Sequence, residues 1–357
     1  MGLLDNTAVR EIEAERPRYP AGLLSRQEKD RLIERGVIAL YRMYTTTSQK
    51  NRNWHPDGSF KWQELRTDHS SEMNTLVEGF YAVEQYVPDY VSKITNLVRR
   101  SRGRSNFQIR WGAEEEKHSD AWLNAMLFLR HRSPKWIEQY TYDLRNDEWP
   151  LTWDDPLHMS LYAVLQERAT QLNYLSTAVI AKGNSEISVF ADGRDKDPVL
   201  CQVAQTIAID EAAHYSFLME IMRLHLYYYP CETIEAFVDV INSFAMPALE
   251  FIPDDNFFEL TYRSGIFGPR EFANDVIQVT FKAMDIKSRK AIVNGVKKSR
   301  LVPDPDGNMR QTAIFDSLDY GAIEEKVKKL YSRIEKYEAE VGTAQIDPTE
   351  FVPTGLA

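Results

Sequence analysis

The chain has 357 residues, 43% of them hydrophobic and 27% charged, with a formal net charge of -10 and a pI near 5.4. These values describe a globular chain that can bury a sizeable core, as one large domain or two of ordinary size. The acidic balance argues against general nucleic-acid binding, and no run reaches the ~18 uncharged apolar residues of a membrane span.

Helical periodicity runs through almost the whole length. The first predicted helix covers 25–50, and the loop NWHPD follows with Trp54. The next, 71–100, carries an apolar stripe of Met73, Val77, Phe80, Val87, Val91 and Ile94, with Glu84 inside it. After the break RSRGRSN comes 106–131, whose stripe runs Trp111, Glu115, His118, Trp122, Met126, Leu129. A helix over 134–146 leads to the breaker-rich NDEWPLTWDDP and then to 157–184. There Glu167 lies with Ala163, Val164, Thr170, Tyr174 and Ala178, a small or amphipathic face suited to a cavity wall. The segment ADGRDKDP precedes 197–229, with the stripe Leu200, Val203, Ile207, Glu211, His214, Leu218, Ile221. Helices over 231–245 and 270–299, the break PDPDGN, and a highly charged helix over 320–341 complete the chain. We read the last helix as a solvated surface element and assign the tail IDPTEFVPTGLA no function.

Long helices with short connections predict an all-α bundle. We expect a helical domain over 1–300, its core near 71–229, with 301–357 adding the charged helix and tail. Cys201 and Cys231 are too few for a disulfide framework or a thiolate metal site and read as reduced, packed thiols. The N-terminus lacks an apolar signal core, and Asn6 stands where a myristoylation pattern needs Ser or Thr, so the expected location is the cytoplasm.

Four helices thus each place one glutamate on an inward face, and two of them add a histidine three residues later. An unpaired buried carboxylate costs several kcal/mol, so four would exceed the ~5–15 kcal/mol net stability of a domain. Two divalent ions would bring four positive charges against four negative ones, and oxygen and imidazole donors suit iron, with manganese admissible. A Glu from each of two helices plus Glu-x-x-His from each of two others is the ligand pattern of ferritin-like di-metal bundles. The structural alternative is that buried arginines, Arg110 and Arg168 being available, neutralise the four acids. The remaining histidines, His55, His69, His131, His158 and His225, read as ordinary surface or core residues.

At these residues the chain resembles the soluble acyl-acyl-carrier-protein desaturases. WGAEEEKHSD (111–120) is similar to that family's first Glu-x-x-His motif and IAIDEAAHY (207–215) to its second. QERAT (166–170) resembles its third-helix signature, VEQYVPDY (83–90) its first ligand helix, and AMPALEFIPDDNFF (245–258) echoes it too. The resemblance covers about residues 50 to 285. It implies an all-α, ferritin-like di-iron four-helix bundle core with additional packed helices. It makes Glu84 and Glu167 terminal ligands, Glu115 and Glu211 bridges, and His118 and His214 nitrogen ligands of two irons cycling between Fe2+ and Fe3+. It places Thr170 beside the oxygen-binding side, gives Asp210 the task of orienting a ligand histidine, and sets Trp54 at the outer end of a tryptophan–aspartate–histidine electron route.

The implied reaction is O2-dependent formation of a cis double bond in an acyl chain held as an acyl-carrier-protein thioester or other acyl thioester. A ferredoxin-type donor and a homodimer come with it. Some positions depart from the family. Trp122 replaces a smaller aliphatic residue one turn after His118, Tyr174 points toward the cluster, the connection 185–201 is longer, and INSFAMPA (241–248) lacks basic residues before Met246. These favour, as the alternative, a related monooxygenase that hydroxylates or N-oxygenates another substrate. Trp122 stands where a radical-generating subunit has tyrosine, which argues against that role. Basic clusters at Arg99, Arg100, Arg102, Arg104 and at Lys297, Lys298, Arg300 could meet an acidic carrier or ferredoxin.

Overall fold

The structure is a computed structural model that describes residues 24–184, 189–249, 252, 256–284, 302–303, 309–310 and 320–342. The chain folds as helices: α1 (Arg26–Asn51), α2 (Ser71–Glu84), α3 (Val87–Val98), α4 (Arg102–Leu129), α5 (Pro134–Leu144), α6 (Pro156–Ala181), α7 (Pro198–Tyr228), α8 (Pro230–Ser243) and α9 (Asn256–Arg263). A composite element follows, α10 (Pro269–Glu271), a π turn (Phe272–Ile277) and α11 (Gln278–Ala283), and then α12 (Tyr320–Glu340). A short antiparallel pair joins Val302–Pro303 to Met309–Arg310. Among the described residues no helix is long and apolar enough to cross a membrane.

The starts are written in capping chemistry. Ser25 and Glu28 form a capping box on α1. Ser133, Asp155 and Asp197 cap α5, α6 and α7, each followed by a proline whose fixed φ and missing N–H suit a first turn.

One expected helix is divided. Residues 71–100 form α2 and α3 with Gln85 and Tyr86 between them. Pro88 is the cause: its ring collides with the carbonyl four residues back, that of Glu84, and so the first helix ends there. Two further readings change. α9 was not anticipated; Phe257 and Thr261 form its buried face. The charged α12 is not solvated all round, because Val327, Leu330 and Ile334 are buried and Tyr331 donates to the Leu32 carbonyl of α1. The predicted helix 270–299 is described only as far as 284, and Lys297, Lys298 and Arg300 lie outside the described residues.

α2 with α3, α4, α6 and α7 form the four-helix core, with α1, α8, α9 and α12 packed around it. α4 lies against both α2 and α3, and α6 against most of α7. Gly112 permits the closest approach of α4 to α3, since a Cβ there would meet Val91 Cγ2 at 2.2 Å. Two apolar clusters result. One holds Phe107, Trp111, Leu165 and Phe217; the other holds Phe80, Trp122, Tyr174 and Ile207. Along α4 and α7 the predicted ligands fall between the contributions to the two clusters, and Glu84 falls between those of α2 and of Tyr86 and Tyr90, while Glu167 sits between Leu165 and Ala169 of the first cluster. A polar layer therefore crosses an otherwise apolar bundle at mid-height.

Candidate metal centre

Glu84 ends α2, Glu115 and His118 lie one turn apart on α4, Glu167 is mid-α6, and Glu211 and His214 are one turn apart on α7. All six are buried, Glu84 and Glu115 at 5% exposure and His118 and His214 at 0%. Their donor atoms fall into two groups, Glu84, Glu115, His118, Glu211 and Glu115, Glu167, Glu211, His214, each with all its atoms within 4.8 Å of one another. Glu115 and Glu211 belong to both. His118 Nδ1 is 3.2 Å from Glu115 Oε2 and 3.4 Å from Glu211 Oε1. His214 Nδ1 is 3.0 Å from Glu115 Oε1 and 3.1 Å from Glu167 Oε2.

This donor set fits a pair of metal ions. Both oxygens of Glu211 and Oε1 of Glu115 are buried without a hydrogen bond, although imidazole nitrogens lie close. Such orphaned oxygens are costly unless a cation meets them. Among the described residues, none of the ion pairs made by these four glutamates is with an arginine or lysine. Arg110 turns instead to Glu114, and Arg168 to the Asp275 carbonyl and Gln171, so the arginine alternative does not hold.

The electrostatics carry the same strain. Burial, with Glu115 nearby, pushes Glu84 up to about 8, and the C-terminal end of α2 adds its own negative potential. Burial also lifts Glu167 well above the usual carboxylate range. Burial acts on Glu211 in the same direction, but His118 and His214 outweigh it and hold the group at about 2. Desolvation opposes charge on both imidazoles; the surrounding carboxylates win and raise both well above the ordinary histidine value.

Each histidine is oriented from behind. His118 Nε2 lies 3.3 Å from Asp210 Oδ2, and His214 Nε2 lies 3.0 Å from Glu114 Oε2. One nitrogen of the buried Arg52 donates to both acids, at 3.1 Å to Asp210 and 3.0 Å to Glu114. Tyr44 and Ser48 also donate to Glu114. Sequence reasoning singled out Asp210 but missed Glu114, Arg52, Tyr44 and Ser48. A signal for Glu114 existed: an acid precedes the glutamate in both motifs, Glu114–Glu115 and Asp210–Glu211.

Trp54 Nε1 donates to Asp210 Oδ2 at 2.8 Å, and its ring lies parallel to that of His118, at 4° and 6.1 Å between centroids. Lys117 sits over the outer face of Trp54. Thr170 is one turn from Glu167, and its hydroxyl exchanges hydrogen bonds with Gln166. Tyr174 donates to Glu84 and stacks on Trp122, whose indole nitrogen is buried without a partner among the described residues.

The cluster opens onto a cavity of about 540 Å³ bordered by Glu84, Glu115, Glu167 and Thr170. Its α6 wall runs from Met159 to Tyr174, roughly 22 Å at 1.5 Å per residue, with Glu167 near the middle. Phe258 and Tyr262 of α9, with Ala245 and Pro269, are the exposed residues of its lining, whereas Met159 and Trp149 are buried. The cavity is thus a long apolar slot, its mouth bordered by these exposed residues, passing the cluster at half its length.

The chain matches the family described as fatty acid desaturase over residues 60–302. It is 30% identical over 212 residues to a chloroplastic stearoyl-[acyl-carrier-protein] 9-desaturase 5 of Oryza sativa subsp. japonica, covering 55% of this chain and 51% of the relative. It is 27% identical over 241 residues to the stearoyl-[acyl-carrier-protein] 9-desaturase of Olea europaea, covering 63% and 58%. The matches thus span about half the length of these curated relatives. Among solved structures, DesA2 of Mycobacterium tuberculosis H37Rv aligns with a TM-score of 0.48 at 16% identity, over 71% of this chain and 94% of that one.

Proposed function

This chain belongs to the fatty acid desaturase family, and from that premise we propose that it is a di-iron, O2-dependent desaturase placing a cis double bond in an acyl chain carried as an acyl-carrier-protein thioester. The observation that carries this reading is the meeting of two four-residue donor groups, sharing Glu115 and Glu211, with the middle of a long apolar slot. Glu84, Glu115, His118, Glu167, Glu211 and His214 would hold the two ions, iron by this reading, with manganese chemically admissible. Bound there, the metal pair supplies the oxidising power for an unactivated C–H bond, which lies beyond side-chain acid–base chemistry. Overall, two hydrogens leave adjacent methylenes, two electrons and two protons come from the donor side, and one O2 becomes two waters.

The protein's own part is positional. Phe80, Phe107 and Trp111 hold an extended chain without water, so that a mid-chain methylene faces the cluster. Asp210 and Glu114 fix the two imidazoles, and Thr170 sets a hydroxyl on the slot side of Glu167. Trp54, through Asp210 and His118, is our proposed route for electrons from a ferredoxin-type donor. The exposed Arg99, Arg100 and Arg102 are a proposed contact for an acidic carrier or donor, and a homodimer is the proposed assembly.

The test is turnover with iron, O2, reduced ferredoxin and a series of acyl-carrier-protein thioesters, read by product mass. A loss of two hydrogens, absent in Glu115→Ala, supports desaturation; tight acyl binding without any unsaturated product sinks it. The second reading, oxygen insertion by the same centre, is favoured by the Trp122–Tyr174–Glu84 contact and predicts a gain of one oxygen in the product.

A further inference from the structure

Arg168 directly follows the predicted ligand Glu167, yet among the described residues it pairs with no carboxylate. Its half-buried guanidinium turns away from the cluster. Nε donates to the Asp275 carbonyl at 3.1 Å, and Nη1 donates to Gln171 Oε1. Asp275 belongs to the π turn Phe272–Ile277, which packs on α6. Such a turn spaces its hydrogen bonds at five residues and the α-helix after it at four, so the bonding register changes where α11 begins. Arg168 braces that irregular turn from outside.

The two sides of the turn are held differently. After it, the chain is tied to α7: the Tyr215 and Thr280 hydroxyls lie 3.4 Å apart, and Arg223 donates twice to the Ala283 carbonyl. Before it, from Gly265 to Glu271, every hydrogen bond among the described residues stays within the stretch, joins it to the first residue of the turn, or reaches back into α9. Apolar packing holds this stretch down, through buried Ile266 and the stack of Phe272 on Phe244 at 4.6 Å between ring centroids. Apolar contact is not directional, so it resists sliding less than a hydrogen bond does. The same stretch covers the slot with Phe267, Gly268, Pro269 and Phe272, and Pro269 stands on the exposed rim beside Tyr262. Its far end is Gly265, whose φ of 63° only a residue without Cβ adopts freely. A pivot at each end and an exposed rim between them are the parts of a hinged cover.

We propose that Arg168 is a positioning residue for the slot: its bond to the Asp275 carbonyl sets the π turn and keeps the cover from Gly265 to Phe272 closed, and release of that bond lets the cover swing outward to admit an acyl chain. This rests on the slot being an acyl site, as argued above, and adds how that site is loaded. Because Arg168 bonds away from the cluster, it governs entry to the slot and not the metals.

Stopped-flow fluorescence of the full chain, with and without Co(II), would follow binding of cis-parinaric acid, a fluorescent polyene fatty acid, and its displacement by octadecanoic acid. Arg168→Met should raise the association and dissociation rate constants together, each about ten-fold, as the loss of one charge-assisted hydrogen bond allows. Co(II) affinity should stay that of the parent. Arg168→Lys keeps the charge but lacks the planar fork, so its rates should fall between the two, and it carries the test should the methionine variant fail to fold. A side chain that merely packs would change dissociation alone. An unchanged association rate, or faster rates seen only together with lost Co(II) binding, overturns the assignment while leaving the acyl-slot reading intact. Failure of the parent to bind either acid would instead remove the acyl-slot reading, and this proposal with it.

Discussion

Glu114 and Asp210 are counterparts across the cluster: each faces Nε2 of one buried histidine, and both accept from the same Arg52 nitrogen. Burial alone would raise both carboxyls. His214 and Arg52 outweigh it at Glu114, and His118 does at Asp210, so both stay ionised. Neutralising either should loosen one imidazole while leaving the six donors in place. Glu114→Gln and Asp210→Asn are each expected to weaken metal binding about 10- to 100-fold, as measured by Fe(II) or Co(II) titration. Variants that bind like the parent would show that the acids merely fill space.

Metal should also hold the fold together. An ion that binds only the native state stabilises it by about 2.7 kcal/mol at a hundred times its Kd. Anaerobic Fe(II) is therefore expected to raise Tm by several degrees and a chelator to reverse it. Glu115→Ala removes a donor shared by both groups and should abolish the shift. Glu84→Gln is the informative contrast. With Glu84 lifted to about 8, the metal-free protein already carries it largely protonated at neutral pH, so the amide should melt close to the parent while taking up metal poorly.

These contrasts show which parts of the site were readable in advance. A glutamate or histidine on the apolar stripe of a long helix is an energetic anomaly, and that anomaly is visible without coordinates; Glu84, Glu115, His118, Glu167, Glu211 and His214 declared themselves so. Arg52 did not, because NRNW looks like any polar loop and its burial comes from α4 and α7 closing over it. Glu114 sat within a run of three glutamates that reads as a solvated face. The break after Glu84 was legible in Pro88, but the unbroken apolar stripe outweighed it. The cover of the slot depends on how α9 seats on α2, a long-range contact with no periodic signature.

That seat is a single glycine. A Cβ on Gly79 would meet the Phe257 ring at 2.1 Å, so α9 lies against bare backbone of α2, and Phe257 in turn packs edge-on against Phe80 in the slot wall. Gly79→Ala should push Phe257 outward, cost about 1–3 kcal/mol from overpacking, and widen the mouth. The expected result is a lower Tm together with tighter binding of branched or bulkier acyl chains. Phe257→Ala in the same chain should restore much of the stability, because the colliding ring is gone. A lower Tm with no change in chain selectivity would mean that α9 does not gate the slot.

Far from the cluster, His69 is held between two aspartates, Nδ1 3.3 Å from Asp195 and Nε2 3.2 Å from Asp197, with its side chain wholly buried. The pair lies 126 and 128 residues further along the chain, so no local pattern marked this histidine as more than ordinary. Ser70 donates to Asp195, and the Arg66 backbone donates to Asp197 while its guanidinium takes the Arg194 and Lys196 carbonyls. The result ties the approach to α2 to the cap of α7, the two helices that supply Glu84 and Glu211. Burial opposes the charge on His69, but the two aspartates prevail and raise it from 6.5 to about 8. A histidine whose folded pKa exceeds its unfolded one adds stability that is complete below about 6.5 and lost as pH rises through 8. The aspartates, both shifted down, act the opposite way, and their share disappears as pH falls into the carboxylate range. Tm should therefore decline between pH 6.5 and 8 in the parent and stay flatter over that interval in His69→Gln, as differential scanning calorimetry of the metal-free chain would measure. An identical decline in both proteins would place the titrating group elsewhere.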